Sequence, residues 1–204
     1  MPLIVHERPR WICLLGGPNG AGKSTLAPLL LPRYLGIGEF VNADVIAQGL
    51  SAFQSEEVAM EAGRIMLRRL KELAAAGESF AFETTLASRS FAPWLRRLKM
   101  KGYGVHLTFV WLPSPGLAVA RVGIRRRQGG HVVDEATVRR RYDAGLANFT
   151  RLYRPLADVW QVIDNSGFNQ HRLVSSGTRW SSGAADPVVA AQFEADCRAR
   201  AEKS

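Results

Sequence analysis

Cysteine is almost missing from this chain: two in 204 residues, Cys13 and Cys197. Two thiols cannot build the disulfide framework of a small secreted scaffold, and nothing around them has zinc-ligand spacing. Long apolar runs are lacking too. None approaches the roughly 18 residues of a bilayer-spanning helix, so no membrane association is expected. The apolar stretch 12–15 is too short for a secretory signal and runs at once into a glycine loop. Repeats are absent: 19 Gly and 10 Pro are scattered without a period, which excludes a collagen-like polymer. Acids are in deficit, 18 against 27 bases for a net charge of +9, and 22 of the bases are Arg. Arginine suits forked contacts to phosphate and carboxylate, so an anionic ligand is expected beside plain solvation of helix faces. What remains is 47% hydrophobic, enough to offset ordering entropy around one core. The chain reads as a single cytoplasmic domain over residues 1–204.

Apolar runs alternate with helical patterns. Strands are expected at 11–15, 40–41, 79–83, 105–112 and 159–164, with an edge strand at 171–175. The run 105–112 is the most apolar and should be central and covered on both faces. Helices are expected from Gly22 until Pro32 stops the chain, and from a Ser55 cap along Ala59, Ala62, Met66, Leu70 and Leu73 to Gly77. Further helices begin near Pro93 and at Pro115. Another carries the stripe Val138, Tyr142, Leu146, Phe149 and Leu152. A last, polar helix is capped by Asp186. Strands joined by helix-length crossovers mean an α/β fold, a parallel sheet with helices on both faces. The Ser- and Gly-rich stretch 175–185 is expected to be mobile, ahead of a C-terminal extension at about 176–204.

The glycine loop is specific. Gly17, Pro18, Asn19, Gly20, Ala21, Gly22, Lys23, Ser24 and Thr25 match G-x-x-x-x-G-K-[ST], between an apolar strand and an apolar-striped helix. Glycines let consecutive N–H groups face phosphates, and the helix N-terminus adds the positive end of its dipole. Lys23 is placed to reach the β- and γ-phosphates and the Ser24 hydroxyl to ligate Mg²⁺. ATP and Mg²⁺ are therefore the expected cofactors. No LSGGQ-like signature accompanies the loop, the nearest string being Gln128-Gly129-Gly130-His131, and no Asn-Lys-x-Asp base-reading motif occurs. ABC-type ATPases and GTPases are disfavoured; small kinases remain.

A kinase needs a carboxylate to take the acceptor hydroxyl's proton and a second acid on the metal side. Asp44, in Asn42-Ala43-Asp44 after a short strand, suits the first role. Glu83, followed by Thr84 and Thr85, suits the second, though the residues alone leave the two roles exchangeable. Helix capping by Asp44 and turn roles for the threonines are the structural alternatives. Between Arg121 and Arg141 stand seven arginines and only two acids, Asp134 and Glu135. Arg121 and Arg125 share a helix face, and Gly129-Gly130 offers a hinge. A helical lid over 115–150 follows, with Arg125 as the foremost phosphate contact and Arg121 or Arg140 next. A basic patch for nucleic acid is the rival reading.

Taken in order, the phosphate loop, Asn42-Ala43-Asp44, Glu83-Thr84-Thr85, Arg121-x-x-x-Arg125, Gly129-Gly130-His131 and Asp164-Asn165-Ser166 resemble the zeta-toxin-like P-loop kinases, in the branch often labelled predicted ABC-type ATPases. The resemblance implies phosphorylation of a small metabolite by ATP, a nucleotide sugar in the zeta toxins proper, and an antitoxin protein as partner. It puts Lys23 and Ser24 on ATP and Mg²⁺, makes Asp44 the candidate base, and sets Glu83 and Thr85 on the substrate or metal side; Thr84, beside them, and Arg140, from the basic cluster, are taken as further substrate-side residues. Glu83 also faces the metal, Arg125 belongs to the lid, and Asn165 lies near the adenine. Zeta toxins usually carry an Arg soon after the catalytic Asp; here Val-Ile-Ala-Gln-Gly follows. An ATP hydrolase or switch, and a module that binds nucleic acid or a toxin partner and uses ATP only for structure, are the competing functions. Trp111 and Trp160 fall in expected core strands and no RNA-binding motif appears, which argues against nucleic acid.

Overall fold

The computed structural model describes residues 9–34, 36–51, 56–127, 133–167 and 170–203. The expected Ser55 cap and the Gln128 to His131 break lie outside the described residues. One seven-stranded sheet organises the rest: β1 (Arg10–Gly16), β2 (Glu39–Val41), β3 (Phe80–Thr84), β4 (Tyr103–Trp111), β5 (Val159–Asp164), β6 (Arg172–Thr178) and β7 (Ser182–Ala184), in spatial order β2-β3-β1-β4-β5-β6-β7. The first five are parallel, with Leu14 of β1 level with Phe82 of β3 and Leu107 of β4. Strand β4 is buried along almost its whole length, as its unbroken apolar run requires.

Helices α1 (Lys23–Tyr34), α2 (Ala43–Leu50), α3 (Glu56–Ala75), α4 (Phe91–Met100), α5 (Pro115–Arg127), α6 (Glu135–Asn148) and α7 (Pro187–Ala201) cover the sheet. Helix α3 buries Ala62, Met66, Leu70 and Leu73, the stripe legible in the sequence. After α6 the chain widens into a π-helical turn at Phe149–Tyr153 and then tightens through a 3₁₀ turn at Arg154–Leu156.

Three expectations need correction. Pro32 does not stop α1, which continues to Tyr34 with Pro28 and Pro32 inside it. The two prolines are four apart and both exposed, so the carbonyls they leave unbonded sit on the solvent side, where water can satisfy them. The stretch 175–185 is not a loose segment: β6 runs antiparallel to β5 and β7 pairs antiparallel with β6. Backbone pairing, which needs no particular side chain, orders what the Ser-Gly composition suggested was mobile. Finally, α7 is no purely polar helix. Its Phe193 and Cys197 are fully buried, and the Phe193 ring lies 5.9, 5.5 and 5.4 Å from those of Phe109, Trp111 and Phe149. Burial pushes both thiols, Cys13 and Cys197, up to about 12, so both are inert small hydrophobes.

Candidate active site

The site forms where β1, β2, β3 and β5 end, since a parallel sheet delivers its strand C-termini to one edge. After β1 the chain turns over β4: Gly17 has φ 141°, and a Cβ there would come within 2.2 Å of the Val110 carbonyl oxygen. Only glycine fits that crossing. Gly22, at φ 83°, passes almost as closely over the Asn165 side-chain amide, where a Cβ would come within 2.5 Å of Nδ2. The loop then enters α1, whose first turn presents N–H groups to the cleft.

Gly20, Gly22, Lys23, Ser24, Thr25, Glu83, Arg121 and Arg125 line one cleft of about 380 Å³. These are sequence-predicted residues drawn from three segments of the chain. A larger cavity of about 540 Å³ opens at the other end of β5, beside Trp160 and Trp180. Among the described residues its one carboxylate, Glu194, is already held by Arg154, so size does not locate the chemistry.

Within the cleft, Lys23 is 5% exposed; its Nζ donates to the Pro18 carbonyl at 2.9 Å and lies 3.5 Å from Glu83 Oε1. Ser24 Oγ donates to Glu83 Oε2 at 2.7 Å. Asp44 sits in the first turn of α2, where its carboxylate favours the helix dipole. It does not cap that helix: the cap is Asn42, whose Oδ1 accepts from the N–H groups of Asp44 at 2.8 Å and Val45 at 3.4 Å. Arg125 reaches across from α5 to within 3.7 Å of Asp44 Oδ2.

The remaining residues divide. Thr84 and Thr85 close the turn after β3, their hydroxyls accepting from the N–H groups of Leu86 and Ala87 at 3.1 and 3.4 Å. Arg121 is committed to the carbonyls of Asn165 and Ser166, at 2.6 and 3.0 Å, which ties α5 to the loop after β5. Asn165 donates to the Ala21 carbonyl at 2.7 Å and contacts His171 Nδ1, also at 2.7 Å. It braces the phosphate loop from behind. Arg140 is not brought in: it is exposed on α6, bonds Thr137 of its own helix, and is absent from the cleft wall.

Other supporting groups were given no role by the sequence. Asp164 is buried, and although burial alone raises its carboxyl, bonds from Arg172 and the Ser166 N–H outweigh that and hold it below the usual carboxylate range. Asn148, buried on α6, donates to the Leu86 and Ala87 carbonyls at 2.8 and 3.0 Å. It thereby secures the turn in which Leu86, fully buried, takes a positive φ of 58°. Such a backbone persists in a non-glycine residue only where its surroundings over-determine it.

The donor set fits Mg²⁺ with a nucleotide. Ser24 and Glu83 offer hard oxygens side by side, and among the described residues no group of three or more His, Cys, Asp and Glu gathers. That suits an ion that takes one or two protein oxygens and completes its shell with phosphate and water. Among the described residues no helix is long and apolar enough to cross a membrane.

Known proteins share this design. An uncharacterized protein of Haemophilus influenzae is 27% identical over 126 residues, covering 62% of this chain and 88% of that protein. Among solved structures, the AvrRxo1-ORF1:-ORF2 complex with ATP superposes with a TM-score of 0.72 at 17% identity, over 92% of this chain and 64% of that one. This chain thus spans less than two thirds of its length. The PezAT chromosomal toxin–antitoxin system of Streptococcus pneumoniae gives a TM-score of 0.60 at 16% identity, over 97% and 87% of the two chains. At such identities these structures speak for the fold, an α/β P-loop kinase architecture. The sequence itself carries the assignment further: the zeta toxin family model matches residues 4–172, and the chain belongs to the zeta toxin family.

Proposed function

We propose that this chain is an ATP-dependent phosphotransferase, a single-domain cytoplasmic kinase that moves the γ-phosphoryl group of ATP to a hydroxyl of a small, anionic metabolite, in the nucleotide-sugar class. The observation that carries this reading is the pairing of Arg125 with Asp44 at the mouth of the phosphate-loop cleft. A nucleotide switch has no need of a half-exposed carboxylate beside a lid arginine; an acceptor hydroxyl does.

In this reading the loop N–H groups and Lys23 hold the β- and γ-phosphates, and Ser24 with Glu83 holds Mg²⁺. The ion supplies charge neutralisation and alignment of the phosphates. Asp44 accepts the proton of the acceptor hydroxyl as its oxygen bonds to the γ-phosphorus. The bond to the β–γ bridging oxygen breaks, and ADP leaves. Arg125 offsets the charge spread over the transferring oxygens. Glu83 bonds Ser24 directly whereas Asp44 does not, which supports Glu83 as the metal-side acid. The AvrRxo1 and PezAT proteins are described together with partner proteins; we extend to this chain a partner of the antitoxin kind.

Incubation with γ-labelled ATP and a metabolite extract tests the reading. One newly labelled compound is expected, and it disappears with Lys23→Ala. Label released only as inorganic phosphate sinks the kinase and leaves a hydrolase.

A further inference from the structure

Asn42 is the side chain in this region that joins the most segments. It is 5% exposed and lies at the end of β2. Its Nδ2 donates to Glu83 Oε2 at 2.7 Å and to Ser24 Oγ at 3.3 Å, while its Oδ1 caps α2 through the N–H groups of Asp44 and Val45. The amide orientation is dictated: turned over, its NH₂ would face two backbone donors and its oxygen a carboxylate. Both ends of one planar group are thus used, one on the phosphate-loop serine and the β3 acid, the other on the helix that carries Asp44.

The two ends do different work. Capping is a task that Ser, Thr or Asp performs as well as Asn. A Ser or Thr hydroxyl can both accept and donate, but only through one atom close to the backbone; the longer Asn42 amide accepts at the cap through Oδ1 and reaches the Glu83 carboxylate with a separate donor, Nδ2. Glu83 Oε2 takes hydrogens from both Ser24 and Asn42, and a charge-assisted pair of that kind fixes a carboxylate's rotation. Lys23, on the other oxygen, is the cation facing the same group.

We propose that Asn42 is a positioning residue: its amide sets the Glu83 carboxylate in register with the Ser24 hydroxyl and, through the α2 cap, fixes Asp44 relative to both. One side chain then sets the spacing between the metal side and the acceptor side of the reaction. The inference rests on the phosphotransferase reading for its purpose, but its geometry concerns metal-coupled nucleotide binding and is tested there.

The measurement is the ratio of ATP affinity in Mg²⁺ to that in EDTA, for wild type, Asn42→Ser, Glu83→Gln and the double variant, with thermal melting as the folding control. Serine keeps the cap but cannot reach Glu83. Asn42→Ser is expected to melt near wild type yet lose at least tenfold of the Mg²⁺ enhancement. The double variant is expected to be no worse than Glu83→Gln alone, because Asn42 acts through Glu83. If Asn42→Ser does not fold, Asn42→Thr, which caps by the same hydroxyl, replaces it. A wild-type Mg²⁺ ratio in the capping variant, or losses that multiply in the double variant, overturns the proposal and leaves Asn42 a cap. A wild type that couples Mg²⁺ to ATP but labels no metabolite overturns the kinase reading alone. A wild type whose ATP affinity ignores Mg²⁺ overturns both.

Discussion

The guanidinium of Arg125 stands 3.7 Å from the Asp44 carboxylate, an ion pair too long for a hydrogen bond, with both side chains half-exposed. Pairs of this kind contribute little stability in water, so either partner is easily drawn to a stronger one. A triphosphate in the neighbouring cleft offers Arg125 that partner, and an acceptor hydroxyl offers one to Asp44.

Arg125→Ala is accordingly expected to cost catalysis rather than binding. Lid arginines that act on charge developing during phosphoryl transfer are worth about 10³–10⁵ in rate. We expect kcat to fall toward that range while ATP affinity changes less than about tenfold. Steady-state kinetics beside direct nucleotide titration checks this. An unchanged kcat with weakened oligonucleotide binding returns the cluster to the nucleic-acid reading.

Asp44→Asn keeps shape and removes the base. Phosphoryl transfer is expected to drop by about 10²–10⁴, the range of general base catalysis, with ATP binding preserved. Single-turnover assays at saturating ATP measure it; near-normal transfer passes the role to Glu83.

The Asp164–Arg172 pair predicts a pH effect on stability. Folding depresses the Asp164 carboxyl, so its contribution is complete above the unfolded carboxylate value near 3.9 and is lost as pH falls through the lower folded value. Arg172→Ala, which also breaks the bond to Asp186, is expected to lower the denaturation midpoint at pH 7. The gap to wild type should close below about pH 4. A gap constant from pH 7 to pH 3 shows that the pair does not drive acid sensitivity.

Much of the site was legible because its chemistry is written in contiguous strings. Gly17 to Thr25 announces the loop by spacing, and Arg121 and Arg125 share a face by helical period, which the structure uses for two different tasks. What stayed hidden depends on partners far away in the chain. Asn148 looks like any polar residue until the fold sets it against Leu86, and Asn42, though part of a legible string, shows its link to Glu83 only in the fold. For the threonines after Glu83 the sequence left a substrate role and a turn role open, and the structure gives their hydroxyls to the turn. Pro32 misled because helix rules for proline assume a buried interior position, and here the helix offers it an outer face. The first half of β6 was legible as the expected edge strand at 171–175, but its continuation and β7 escaped because their order comes from main-chain pairing of β6 on β5 and of β7 on β6, which composition does not report.

The two margins of the sheet share a property. Strand β2 at one side and β7 at the other are each three residues long. Glu39, at the start of β2, is held by Arg69 at 3.0 Å, and β7 is a bare Ser-Gly-Ala. A sheet whose interior strands run to nine residues thus ends, among the described residues, on margin strands too short to template a strand from another molecule. The hydrophobic β4 sits three strands in from either margin, so among the described residues neither margin offers edge-to-edge aggregation a long apolar strand to start from.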